Sequence, residues 1–210
     1  MWLKSILTMK RVFQFFLFLT CFFQLTQSLA NDDPVVSIAS HTLTESDFEP
    51  TPEELKNLQD DPMGSERREM QNFSTIVEFV QHHFVLDFAK ENNLTAAPEF
   101  VASFKAAFGN ESLSSEKLDE LAHFAALQFA VDAYLYQTHG GRVVFDQSHP
   151  MFPIEAYFNA YKAYTESQQL VFYDDELANI WWLGFVRPNA IEIAADEIDF
   201  SAPWWHSLGS

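Results

Sequence analysis

The sequence predicts a mostly helical domain with a short strand pair near its start, preceded by a secretory leader. Three observations carry this reading. Apolar residues recur at spacings of three and four from Met70 to Phe88, the period of a helix with one buried face. Helix-opening residues stand before each run of this kind. Residues 34–43 (PVVSIASHTL) instead alternate, the period of a strand.

The leader occupies residues 1–30. Lys4, Lys10 and Arg11 make a basic start, residues 12–25 (VFQFFLFLTCFFQL) are an apolar core, and Ser28-Leu29-Ala30 supplies small residues for cleavage after Ala30. The core is shorter than the ~20 residues that span a bilayer comfortably. Cys21 follows Phe18-Leu19-Thr20, a poor lipobox, which argues against a lipoprotein. Residues 31–210 are therefore expected as a single domain outside the cytoplasm.

Each element has a local cause. Thr51-Pro52-Glu53-Glu54 forms a capping box with proline just inside, and opens a short helix ending near Gln59. Residues 60–64 (DDPMG) are a turn. Ser65 opens a long helix to about Glu91, its stripe being Met70, Phe73, Val77, Val80, Phe84 and Phe88, widened by Ile76, Phe79 and Leu86. Asn92-Asn93 stops it. Thr95 and Pro98 start a third helix with Phe100, Val101, Phe104 and Phe108 inward and Gly109 as the stop. Ser114 or Ser115 opens a fourth, to about Thr138, apolar nearly all round from Leu121 to Leu135 and so expected as the buried hub. Gly140-Gly141 ends it, and residues 142–145 read as a strand or an extended link. A fifth helix runs from Ile154 to about Gln168, and a sixth begins at Asp174-Asp175-Glu176 and stops before Pro188. Residues 191–210 show no firm period.

Composition narrows function. All 30 acidic residues lie after Ala30, against 9 Lys plus Arg, a formal charge of −21 for residues 31–210. Nucleic acid and anionic membrane need the opposite sign and are excluded as partners. The absence of cysteine beyond the leader rules out a disulfide framework and thiolate chemistry, and favours a bacterial periplasmic setting. Three glycosylation triplets, at Asn72, Asn93 and Asn110, point the other way.

No phosphate-binding glycine loop, nucleophile elbow or HExxH is present. Glu120 and His123 form one Glu-x-x-His, where a di-iron bundle needs two, so no cofactor is expected and the pair reads as a helix-surface contact. His82-His83 diverge by about 100° on a helix and do not chelate one ion together. Gln128 and Asp132 stand four apart on the apolar fourth helix. A buried carboxylate must be paired, and neighbouring backbone ends are the expected partners, with a polar spot in a groove as the functional alternative. Trp181-Trp182 and Trp204-Trp205 cannot each enter one core, so one of each pair is expected at least partly exposed. These four, with Tyr157 and Tyr161, are the candidate polypeptide-binding residues. For Trp204 and Trp205 a tail that closes the core is the competing role.

The opening Val35-Val36-Ser37-Ile38, then Leu43-Thr44 and Asp47-Phe48, resembles the N-terminal chaperone domain of the SurA-like and PrsA-like parvulin-type peptidyl-prolyl isomerases. Residues 84–104 (FVLDFAKENNLTAAPEFVASF) resemble that family's helix boundary, and 158–165 (FNAYKAYT) faintly its returning helix. Ala39-Ser40 replaces the family's Asn-Gly turn, and no parvulin catalytic domain is visible. The resemblance implies a chaperone part without isomerase activity, binding unfolded or assembling polypeptides through an aromatic groove. The alternatives are a dedicated partner-binding envelope protein, or an enzyme, either a remnant peptidyl-prolyl isomerase or a metal-dependent one, marked by a carboxylate–histidine cluster in a cleft with Glu120 and His123 as the first residues to test.

Overall fold

The computed structural model describes residues 32–210 except 110–112, 148, 187, 189 and 209–210. The leader expected over residues 1–30 lies outside the described residues. The chain runs β1 (Pro34–Ile38), β2 (His41–Thr44), a 3-10 turn (Glu45–Phe48), α1 (Pro52–Asp60), α2 (Gly64–Glu91), α3 (Pro98–Phe108) and α4 (Ser115–His139). It continues through β3 (Val144–Phe145), α5 (Ile154–Glu166), β4 (Leu170–Phe172), α6 (Asp175–Val186), β5 (Ile191–Glu192) and a second 3-10 turn (Trp204–Ser207).

The strand pair is present, and a third strand joins it. β1 lies in the middle of an antiparallel sheet of order β2-β1-β4. The hairpin turns at Ala39-Ser40, with Ala39 in the left-handed region at φ 49°. Its N–H donates to the Gln169 carbonyl at 2.7 Å, which ties the turn to the start of β4. Val36 and Ile38 face inward and are fully buried. They stand opposite Phe172 and Leu170 of β4.

The helix ends follow the chemistry read from the sequence. The Thr51 N–H donates to Glu54 Oε2 at 2.8 Å, and the Glu54 N–H donates to Thr51 Oγ1 at 3.3 Å, with Pro52 in the first helical position. α2 ends with Asn93 at φ 55° and the Leu94 N–H on the Ala89 carbonyl at 2.8 Å, a Schellman closure. α5 closes the same way through Gln168 at φ 61° and the Gln169 N–H on the Tyr164 carbonyl at 2.8 Å. Gly109 ends α3 in the right-handed region, at φ −66°, so its freedom to be left-handed is not what stops that helix.

α4 is the hub and packs on α3, α2 and α5. Ala122 and Ala126, fully buried, form a flat seat for Val101 of α3. On another face Val131 and Leu135 join the main core. That core centres on Phe84 of α2, whose ring lies 4.5 Å from Tyr161, 5.0 Å from Tyr164 and 5.6 Å from Tyr157. The α2 stripe departs from expectation at its ends. Its buried members are Ile76, Val80, Phe84, Val85 and Ala89, whereas Met70 is 74% exposed and Leu86 is also exposed. Met70 precedes Ile76, the first α2 side chain in the core, and Leu86 lies among core residues but is turned to solvent, so helical period alone buries neither.

Phe84→Ala is expected to cost about 3–5 kcal/mol, as truncation of a fully buried aromatic does. Met70→Ala is expected to stay within about 0.5 kcal/mol. Denaturant midpoints of the two variants check both.

Candidate functional site

A cavity of about 210 Å3 opens between α4, α3, the loop before α5 and the C-terminal segment. Its α4 wall is Ala125, Gln128, Phe129 and Asp132, which share one helix face by their spacing of three and four. Phe104 of α3 closes one side. His149, Pro150 and Met151 close another, and the C-terminal segment adds Asp199, Phe200, Ala202, Trp204 and Trp205.

The loop carrying His149 is held at both ends. Gly140 and Gly141 take positive φ angles of 61° and 90° and redirect the chain after α4. Val144 and Phe152 then exchange two backbone hydrogen bonds, Val144 N–H to the Phe152 carbonyl at 2.9 Å and the reverse at 3.0 Å. β5 pairs with β3 beside this clamp, with Val144 opposite Glu192 and Phe145 opposite Ile191. The clamp leaves His149 on a short loop against α4.

Asp132 is buried at 4% exposure, and its partners differ from the backbone ends expected for it. Tyr157 Oη donates to Oδ1 at 2.7 Å, and His149 Nε2 lies 2.7 Å from Oδ2. The reason is position. Asp132 lies inside α4, away from that helix's own ends, and its donors are side chains of α5 and the loop. His149 Nδ1 lies 3.4 Å from Gln128 Nε2. Gln128 and Asp132 thus do line a polar end of a pocket, and His149 is the member that sequence reading missed. A histidine in a loop without period carries no local signal of this kind.

The site's electrostatics follow from burial. Burial alone pulls the His149 imidazole down, but the charge and hydrogen bond of Asp132, with Asp146 nearby, overcome this and raise it above its ordinary value. Tyr157 is pushed well above the ordinary tyrosine range by burial first and by the Asp132 charge second, so it stays a neutral donor. Asp199, at the outer rim, is held below its ordinary value by hydrogen bonds from the Ser201 side chain and backbone.

The aromatic candidates separate by burial. Trp205 is 5% exposed, and its Nε1 donates to the Phe100 carbonyl at 3.2 Å. Its ring lies 5.5 Å from Phe104 and 6.3 Å from Phe129. Trp204 is 43% exposed, at right angles to Trp205 and 5.9 Å from Phe108. Trp181 is buried against Tyr161 and Phe172, while Trp182 is half-buried beside Phe158. Both pairs diverge as their adjacency requires. Tyr157 and Tyr161 are core residues without a face for a polypeptide. The outer side of α6 leaves Ile180, Leu183 and Val186 exposed.

Glu120 and His123 do not meet as a ligand pair. Glu120 pairs with Lys117 at 3.2 Å, and His123 Nδ1 lies 2.8 Å from the Asp119 carbonyl. Among the described residues no group of three or more His, Cys, Asp or Glu is placed to hold a metal ion. No family model, curated protein or solved structure matches this chain.

A second histidine group lies apart from the pocket. His83 stacks on His41 at 3.8 Å and meets the edge of His82 at 5.2 Å, while His82 stacks on Phe124 at 4.7 Å. Burial first, then the neighbouring His41, lowers both His82 and His83.

The two groups give the stability curve opposite arms. His149 binds its proton more tightly when folded, so its contribution is complete below the ordinary value of 6.5 and is lost as pH rises through the folded pKa. His82 and His83 bind theirs less tightly when folded, so they cost stability as pH falls below 6.5. Urea midpoints measured across neutral pH are expected to fall on both sides of that value, and His149→Gln is expected to flatten the alkaline arm alone. Tyr157→Phe leaves Asp132 Oδ1 without its donor, for an expected loss of about 1–3 kcal/mol.

Proposed function

We propose that this chain is a chaperone-like binding protein of the periplasm. It engages unfolded or assembling polypeptides through aromatic side chains, without isomerase activity. The observation that supports this best is the open pocket, walled by Phe104, Phe129, Phe200, Trp204 and Trp205. Rigid aromatics at a partly exposed site offer large contact area at small entropic cost, which is why they anchor recognition surfaces. The exposed Ile180, Leu183 and Val186 on α6 add a second apolar contact region. The acidic surface keeps a loaded complex soluble and away from anionic membrane faces.

An enzyme is the second reading, favoured by one observation, the Asp132–His149 pair at the end of a cleft. In that role Asp132 orients the imidazole through Nε2, and Nδ1 is the atom that accepts a proton. Glu120 and His123, the first residues sequence reading would test for catalysis, lie outside the pocket.

The test is a titration of residues 31–210 with an aromatic-rich unfolded peptide, read by tryptophan fluorescence and by suppression of client aggregation at equal molar ratio. Saturable binding is expected, weakened by Trp204→Ala by about 2 kcal/mol or more, the size of an interface anchor. Absence of both binding and suppression sinks the chaperone reading. Loss of a catalysed reaction in His149→Gln, with peptide binding intact, would establish the second.

A further inference from the structure

The walls and the charges of the pocket together select its occupant. Five aromatic side chains surround it, and aromatic faces carry the negative end of a quadrupole that attracts cations. Among the described residues two carboxylates line it, Asp132 at the inner end and Asp199 at the rim, against one basic group, His149. Among the described residues no lysine or arginine lines it. Whether His149 is protonated or neutral, the pocket is therefore net negative. It sits in a domain of formal charge −21, whose long-range field has the same sign. An anion entering it meets carboxylates and aromatic rings, against the His149 imidazole, already committed through Nε2 to Asp132, and the neutral amide of Gln128.

Size and polarity complete the argument. A cavity near 150 Å3 holds a benzene ring. The roughly 210 Å3 here takes a short aliphatic stem with a charged head. Such a group lays its methylenes along apolar walls and keeps its charge at a polar end.

We propose that this pocket is selective for an organic cation on an aliphatic stem, which on the polypeptide-binding reading is a lysine or arginine side chain of the client. The stem packs between Phe104, Phe129, Phe200 and Trp205. The charged head is held at the rim by Asp199, the buried Asp132–His149 pair acts on it only through its charge from the inner end, and Trp204 covers the opening. This identity rests on the polypeptide reading, whereas the preference for a cation rests on the pocket alone.

The experiment uses residues 31–210 and three probes of similar shape: n-butylammonium, n-pentanol and n-pentanoate. Calorimetry and tryptophan fluorescence report binding. The ammonium is expected to bind about tenfold or more tightly than the alcohol, the order of a desolvated cation–π contact, and the carboxylate not at all. Asp199→Asn, a change at an exposed rim residue, is expected to erase most of that preference while the protein stays folded. Asp132→Asn is the second variant and is read only where its circular dichroism matches the parent. Equal or tighter binding of the alcohol or the carboxylate overturns the proposal.

A paired peptide arm separates the two readings. A lysine-containing unfolded peptide is expected to bind about tenfold more tightly than its Lys→Gln form. Ammonium binding without any peptide binding supports the cation pocket and removes the polypeptide reading. Equal binding of both peptides, with no ammonium binding, overturns the cation pocket and leaves the polypeptide reading in place.

Discussion

The buried carboxylate of Asp132 is the constraint around which this structure is arranged. A carboxylate taken out of water is costly unless donors saturate it, and removing one partner is worse than never burying it. Here the donors come from two separate segments, Tyr157 on α5 and His149 on the preceding loop. Satisfying one charge on α4 therefore fixes three pieces of chain against one another. The Val144–Phe152 clamp and the Gly140-Gly141 turn deliver the loop to the right place.

The same arrangement produces the pocket. The loop that His149 holds onto α4 and the α3 residue Phe104 line the same cavity. The space between them is closed from outside by the C-terminal segment, which anchors itself through Trp205 on the Phe100 carbonyl. The small side chains of Ala122 and Ala126 bring α3 close on one face of α4. Phe129 and Gln128 on the next face line the cavity. A cleft remains, with an apolar body, a polar inner end and an acidic rim.

The surplus of aromatic residues divides between two tasks. Phe84, Tyr157, Tyr161, Tyr164 and Trp181 build the core, where tyrosine hydroxyls also serve acids, the buried Asp132 through Tyr157 and the half-buried Asp87 through Tyr164 at 3.1 Å. Phe129, Phe200, Trp204 and Trp205 close the second, less buried cluster around the cleft. Adjacent tryptophans serve this division well, because a single pair sends one ring inward and leaves the other toward solvent.

Local chemistry by itself determined the six helices among the described residues, to within a few residues at each end. Capping boxes, prolines at helix starts and paired asparagines act within one turn, so their effect is legible without the fold. The hub position of α4 follows from its being apolar nearly all round, and the divergence of Trp181 and Trp182 from the angle between adjacent residues on a helix. What only the tertiary structure decided involves residues far apart in the chain. Strand β4 is three residues long and gains its identity from β1, more than 130 positions earlier, because a ladder needs a partner that no local pattern names. Met70 fits the apolar stripe of α2 yet stands in solvent, since period specifies a face but not how far the core reaches along it. Asp132 and Gln128 were visible as polar residues on an apolar helix, but His149 was not visible as their companion. A hydrogen bond between a mid-helix carboxylate and a loop imidazole is specified by the folding of the chain in space, and leaves no spacing in the sequence to read.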